Sequence, residues 1–202
     1  PVVSKVRTTA QAAETSSNMR SLIQAVKVWS QDNDGLMPDS KWYGSRTKLR
    51  AGPDFERDWS LHVYLEIPRN RDADEGPTAF TDIAADKIVR GFGRYRRSVV
   101  INHFTGIREG REMDAGPVRM INVERPSRMM LFVGGAATEN GYPSSLSRGR
   151  VEDLNYLFPY GGKNMVGFVD GSVTQMDEPE FLEKLEEIEN FRTSAFWTGT
   201  GS

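Results

Sequence analysis

A short acidic run is the first candidate for metal chemistry in this sequence. Residues 32–35 read Asp-Asn-Asp-Gly, and such runs bind calcium when further carboxylates stand at fixed spacing around them. With Gly35 at the sixth position of a calcium-binding loop, Ser30 takes the first position and Lys41 the twelfth. Both positions need an acidic ligand. We therefore predict that the run ends a helix and that the chain binds no metal here.

The other candidate groups for catalysis or cofactor binding are incomplete. His62 and His103 are far apart in a chain without cysteine, so we expect structural or surface roles rather than zinc binding. Residues 91–97 contain Gly-x-Gly and three arginines but lack the third glycine and the preceding strand of a nucleotide-binding loop. No nucleophile–base pair can be assembled. The sequence predicts no enzyme, no catalytic residue and no cofactor.

Four large aromatic residues stand in the segment 40–60, which is otherwise rich in Lys, Arg, Gly and Pro. They are Trp42, Tyr43, Phe55 and Trp59. Exposed rings could stack on a polysaccharide while nearby basic side chains meet acidic groups, and loops often carry recognition. The same rings could instead cover one end of a sheet, since a buried indole contributes a large apolar area. Both interpretations stay open, and the four residues form a tentative partner-binding set.

The charge of the chain gives little sign of a nucleic-acid partner. Its 202 residues carry a formal net charge of −2, so no global bias favours polyanions. Basic residues outnumber acidic ones between residues 87 and 128. We expect this local basic face to meet the acidic segment 177–190 and not nucleic acid.

The first long helix is predicted over Ser4–Gln31. Its second half places apolar residues at the repeat of one helical face, and the run 32–35 with Pro38 ends it. The first half, residues 4–17, offers only Val6 and a few alanines. We expect that half to project or to pack lightly. The apolar residues of the second half are Met19, Leu22, Ile23, Val26 and Trp29.

Strands are predicted to dominate the second half of the chain. The β-branched or apolar runs that suggest them are 98–102, 118–123, 129–133, 165–169 and 172–176. The run 129–133 is continuously apolar, which predicts burial on both faces. Asp170-Gly171 predicts a two-residue hairpin turn in which both residues take positive φ.

Helices are predicted at two further places. One covers residues 80–89 and is capped by Thr81 or Asp82. The other covers 177–190 and has an apolar face and an acidic outer face. Phe196 and Trp197 in the tail either dock or belong to a disordered end. The apolar face of the second helix consists of Phe181, Leu182, Leu185 and Ile188.

These elements predict an α+β fold in which one long N-terminal helix packs on an antiparallel sheet. We expect a single domain over 1–202. Within it, residues 1–35 form the helix, 36–97 an irregular insertion, 98–176 the sheet, and 177–202 a C-terminal helix and tail.

The helix resembles that of type IV pilin-like proteins, in particular the pseudopilin-like group with a C-terminal Asp-Gly hairpin. That group carries Asn-Leu-Arg-Gln-Ile-Gly-Leu-Ala, then spaced Tyr, Asp and Gly, then Phe-Pro. The corresponding residues here are Asn18, Met19, Arg20, Leu22 or Ile23, Ala25, Trp29, Asp32, Gly35, Met37 and Pro38.

The second half of the chain extends the resemblance to the same family. Its turn, Gly-Gly-x-Asn and Asp-Gly-hairpin patterns correspond to residues 125–127, 161–164 and 169–173. Two positions depart from the family pattern. Tyr160 stands where the family often has a histidine, and Gly134 stands where an acid often follows the apolar strand.

The resemblance implies a structural subunit of a type IV pilus-like or type II secretion pseudopilus-like filament. Its partners would be other pilin-like subunits and the secretion or pilus machinery. An apolar segment before residue 1 would anchor it in the inner membrane of a bacterial cell envelope. We expect that segment to have been removed, with 1–3 as its remnant. The alternative is a pilin-like binding module for a polysaccharide or a protein partner.

The two interpretations of the aromatic segment make opposite predictions about stability. If the indoles are packed, Trp42→Ala and Trp59→Ala should each cost about 3–5 kcal/mol of unfolding free energy in chemical denaturation. If they form a platform, stability should hardly change while binding on a glycan array disappears. We expect the packed outcome, and ready acrylamide quenching of most of the tryptophan fluorescence would contradict it.

Overall fold

The computed structural model shows an α+β protein whose first element is a long helix, α1, over Val2–Asp32. The predicted stripe of its second half is buried, with Met19, Leu22 and Val26 fully inaccessible to solvent. The first half is different: residues 5–10 are exposed or half-buried, and burial begins at Ala12. The predicted division of the helix into two unlike halves is confirmed.

The structure describes residues 2–38, 61–67, 76–88, 98–105, 118–137, 145–146 and 154–199.

The end of α1 is made by the run that resembled a calcium loop. Gly35 takes a left-handed conformation with φ +76°, as predicted, and its amide donates to the Ser30 carbonyl at 2.8 Å. Asn33 donates from its side chain to the Trp29 carbonyl at 2.8 Å. These bonds satisfy carbonyls that the helix end leaves without partners. The side chain of Asn33 therefore serves the helix end.

Five strands form the main sheet, in the order β4-β1-β2-β6-β7. The neighbours are antiparallel except β1 and β4, which are parallel. A second pair, β3 and β5, is antiparallel. The bounds are β1 Val99–Asn102, β2 Met130–Gly134, β3 Ala136–Ala137, β4 Ser145–Leu146, β5 Asn155–Tyr156, β6 Lys163–Phe168 and β7 Val173–Asp177.

The two faces of the sheet are covered by different helices. On one face α1 packs on β6, where Gly167 lies so close that an added Cβ would be 3.0 Å from Cδ1 of Ile23. On the other face pack α3 (Glu178–Glu186) and α4 (Ala195–Thr198). The central strand β2 is buried along its whole length, which confirms the prediction for the apolar run.

The C-terminal region docks through its aromatic residues. Asp177 caps α3 by accepting from the Glu180 amide, and Pro179 lies in its first turn. Phe196 and Trp197 are 4% and 0% exposed, so the docked alternative for the tail is correct. Leu182 is 41% exposed and does not belong to the buried face, contrary to prediction.

Two further predicted elements are wrong or shorter in the structure. The predicted strand 118–123 is a single bridge between Leu36 and Arg119 followed by a 3-10 helix over Met120–Asn122. Ile121 there is 87% exposed, because the chain turns before alternation can bury it. The predicted helix 80–89 is reduced to α2, Ala85–Ile88, preceded by turns.

Most of the predicted insertion, 36–97, lies outside the described residues. Its described parts are 36–38, the 61–67 turn with a 3-10 helix over Val63–Leu65, and 76–88. Among the described helices, none combines the length and apolar character that crossing a lipid bilayer requires.

The hairpin between β6 and β7 is present, but its turn is not the predicted one. The Gly171 amide donates to the Phe168 carbonyl at 3.0 Å, and the Phe168 amide donates to the Ser172 carbonyl at 2.9 Å. Only Gly171 has positive φ, +105°; Asp170 does not. This pattern is a three-residue loop with a bulge at the glycine. Asp170 instead uses its carboxylate to accept from the Ser172 amide and hydroxyl.

We predict that Gly171→Ala lowers the free energy of unfolding by on the order of 1 kcal/mol, because a Cβ at positive φ is strained. The new Cβ would also lie 3.1 Å from Nζ of Lys27, which donates to the Asp170 carbonyl at 2.7 Å. Urea denaturation followed by circular dichroism measures the change. Gly161→Ala is the matched control for the effect of positive φ alone, since φ there is +69° and nothing lies within 4 Å of the new Cβ. An unchanged Gly171→Ala midpoint would contradict the positive-φ account.

Candidate functional site

The exposed half of α1 is one of two features that a function could use. Val6 is 63% exposed there, and Lys5, Arg7, Thr9 and Ala10 are exposed with it. The Thr9 hydroxyl donates to the Lys5 carbonyl at 3.0 Å, so it is satisfied within the helix. The surface therefore consists of short side chains and two basic ones. It lies on α1, whose other end is packed on the sheet.

The second feature is a buried polar cluster at the point where α1 leaves the body. We call Thr15, Asp82, Ser98 and Tyr160 the Asp82 cluster. Each is at most 5% exposed. The Tyr160 hydroxyl donates to Oδ1 of Asp82 at 2.5 Å and lies 2.7 Å from the Thr15 hydroxyl. Residues from four separate parts of the chain thus meet around Asp82: Tyr160 bonds its carboxyl group, Ser98 bonds its backbone, and Thr15 bonds Tyr160.

A chain of hydrogen bonds runs through this cluster. The Ile83 amide donates to Oγ1 of Thr15 at 3.0 Å. Because the Tyr160 hydrogen points to Asp82, the Thr15 hydroxyl is left to donate to Tyr160. The successive hydrogen bonds of such a chain polarise and strengthen one another in a low dielectric. The cluster therefore ties α1 to the segment 81–85 and to the loop before β6.

Oδ1 of Asp82 collects all of the donors to that carboxyl group. It accepts from the amides of Ala84 and Ala85 at 3.1 and 3.0 Å, in addition to Tyr160. The two amide bonds make Asp82 the cap of α2, as the sequence predicted for Thr81 or Asp82. The Ser98 hydroxyl accepts from the Asp82 amide and donates to its carbonyl. Oδ2, by contrast, is buried, and no described residue gives it a hydrogen bond.

Gly134 makes room for that second oxygen. A Cβ at this position would lie 2.1 Å from Oδ2 of Asp82, so only glycine fits beside the carboxyl group. Gly134 and Tyr160 are the two positions at which the sequence departs from the pattern of the pseudopilin-like group. The structure brings both positions to the same carboxyl group, that of Asp82, which belongs to the predicted insertion, 36–97.

Burial governs the electrostatics of the cluster. Loss of solvent raises the pKa of Asp82 above its ordinary value, although bonds from Ala85, Tyr160 and Ala84 oppose the rise and Asp86 adds to it. Burial also raises the pKa of Tyr160, and the charge of Asp82 raises it further. The Tyr160 hydroxyl therefore keeps its proton and remains a donor.

The structure places few of the sequence-predicted site residues. Trp42, Tyr43, Phe55 and Trp59 lie outside the described residues, as does the segment 91–97. His62, for which a structural or surface role was predicted, is 4% exposed with its ring 5.0 Å from that of Phe80, so it lies in the interior and not at the surface. Within the described ranges, no three His, Asp or Glu side chains are grouped as metal ligands would be.

Sequence reasoning missed the Asp82 cluster as a unit. Asp82 looked like an ordinary helix cap, and Thr15 lay in the half of α1 expected to pack lightly. The available signal was that Gly134 and Tyr160 both differ from the pattern that the chain resembles. Nothing in the local sequence named Asp82 as the group that meets them.

Comparisons of the chain with protein-family models, with curated proteins and with solved structures find no match.

We predict that Gly134→Ala destabilises the fold by about 1–3 kcal/mol, the usual cost of overpacking. Its added methyl group must displace the Asp82 carboxyl group. A double-mutant cycle in thermal or urea unfolding tests this cause. In the Asp82→Ala background the same change should cost markedly less, because the carboxyl group is gone. Equal costs in both backgrounds would show that the two residues are not coupled.

Proposed function

We propose that the chain is the body of a filament subunit of the type IV pilus-like or type II secretion pseudopilus-like kind. The observation that carries the proposal is the division of α1. Its second half is buried on the sheet, whereas residues 5–10 are exposed or half-buried. A helix that extends beyond the domain it packs on can contact another subunit, because its backbone hydrogen bonds are satisfied within the helix.

The composition of the exposed half supports helix-to-helix contact between subunits. Ala10 and Ala13 are small, and the Thr9 hydroxyl is bonded to a carbonyl one turn earlier. Small residues let helices approach closely, which increases van der Waals contact. Exposed Val6 would gain burial in the assembled state. The opposite charges of Lys5 and Glu14 would help to set the register between neighbours.

The resemblance over residues 18–38 and 161–173 supports the same proposal from the sequence side. The described fold agrees with it at the coarse level, since a long N-terminal helix lies on a largely antiparallel sheet that ends in a hairpin. Under this proposal the subunit is structural and not an enzyme. Its partners are other pilin-like subunits and the export machinery, and it resides in a bacterial cell envelope.

Single-cysteine cross-linking tests the proposal, because the chain has no cysteine of its own. Ala10→Cys in the exposed half should give a ladder of dimers and higher multimers with a short bismaleimide in intact cells of the source organism. Glu183→Cys is the matched control: it is equally exposed, but it lies on α3, away from α1. It should stay monomeric.

Two outcomes together would overturn the filament proposal. One is a fully labelled Ala10→Cys protein that remains monomeric in those cells. The other is a gene whose codons before Pro1 encode no basic leader and no stretch of about 20 apolar residues, the length that spans a bilayer.

A further inference from the structure

We propose that Asp82 is a proton-controlled latch, which holds the segment 78–88 on α1 and β1 while its carboxyl group is neutral and releases the segment when it ionises. The proposal goes beyond filament assembly and does not depend on it. It rests on the geometry of the Asp82 cluster.

The first step is the asymmetry of the carboxyl group. Oδ1 is saturated by Tyr160, Ala84 and Ala85, whereas Oδ2 is buried with no hydrogen-bond partner among the described residues and faces the backbone of Gly134. A neutral acid in this pocket leaves one O–H donor without a protein acceptor there. An ionised one leaves an anionic oxygen without a protein donor or cation from those residues, which costs far more. The site is therefore built for the protonated form.

The second step is the absence of a compensating charge around Asp82 among the described residues. α1 contributes the neutral Thr15, β1 is preceded by Ser98, and β2 contributes Gly134. Tyr160 also faces the carboxyl group and stays protonated. The charged group acting on Asp82 is Asp86 of α2, whose negative charge opposes ionisation. Among the described residues, no element packed around Asp82 thus supplies a positive charge, and the groups that favour a carboxylate are the donors on Oδ1.

The third step is the mechanical position of Asp82. The segment that carries it is held to α1 by the Ile83 amide on Thr15 and by the Asn18 side chain on the Thr81 carbonyl at 3.0 Å. It is held to β1 by the Ser98 and Val99 amides on the Phe80 carbonyl. Among the described residues these hydrogen bonds are few, and we infer that the segment opens at a lower free energy than the whole domain. The carboxyl group of Asp82 lies between them and joins Tyr160 to the amides of Ala84 and Ala85, so its ionisation acts on the middle of the segment.

The sign of the pH dependence follows from linkage. Asp82 binds its proton more tightly in the closed state than when exposed, where an Asp ionises near pH 4. Closure is therefore most favourable below that pH and weakens as pH rises toward the pKa of the closed state, after which it is constant. Within that window the opening constant should grow by up to about ten-fold per pH unit.

Amide hydrogen exchange measures this opening. In the wild-type chain, protection factors of the Ile83, Ala84 and Ala85 amides should fall across the window, after correction for intrinsic exchange. Asp82→Asn keeps the shape and the Oδ1 acceptor but cannot ionise, so its protection should not vary with pH. Asp86→Asn is the matched control, because it removes a nearby charge but leaves the titrating group. It should keep the pH-dependent fall.

A measurement on the wild type alone covers the case in which Asp82→Asn fails to fold. The carboxyl carbon shift of Asp82 by NMR should titrate above the ordinary range for aspartate, with protection falling over the same pH values. The latch is wrong if Asp82 titrates normally, if Asp82→Asn keeps the wild-type slope, or if the 83–85 amides exchange no faster than the Val166 amide in β6, which reports global unfolding.

Discussion

The close approach of α1 to β6 is the contact on which the rest of the structure depends. Gly167 offers no side chain, so Ile23 and Met19 lie directly against the strand. Trp29 fills the same layer and is fully buried. A buried apolar side chain contributes about 1.5–3 kcal/mol, and this half of α1 contributes several. Because the second half of the helix is fixed in this way, the exposed residues 5–10 project from a helix that is held farther along the chain.

The Asp82 cluster lies where that support ends. Thr15 is the last fully buried polar residue of α1 toward its N-terminus, and it meets a buried carboxyl group instead of an apolar neighbour. A fully apolar contact there would not depend on pH. The polar contact makes the junction between the exposed helix and the segment 78–88 conditional on a proton. This placement distinguishes the cluster from an ordinary helix cap.

The proposed filament role and the proposed latch use different properties of one helix. Assembly needs small, exposed residues near the N-terminus of α1, whereas the latch needs a hydroxyl at Thr15, one turn beyond the exposed region. The two can be separated experimentally, because cross-linking at Ala10 reports contacts between subunits and exchange at Ile83 reports opening within one subunit. Neither property requires the aromatic segment 40–60, whose binding interpretation stays a prediction.

The sequence by itself determined the elements that local periodicity and turn chemistry control. The stripe of α1, its end at Gly35, the buried strand β2 and the presence of the β6–β7 hairpin all follow from spacing within a few residues. Tertiary structure decided the rest. The bulged form of the hairpin loop accompanies bonds from Lys27 to Asp170 and from Asp170 to Pro126. The residues 118–123 form one bridge, between Arg119 and Leu36, and not the predicted strand, because the chain turns into a 3-10 helix at Met120. The Asp82 cluster joins residues far apart in sequence, and such long-range pairing leaves no local periodic signal.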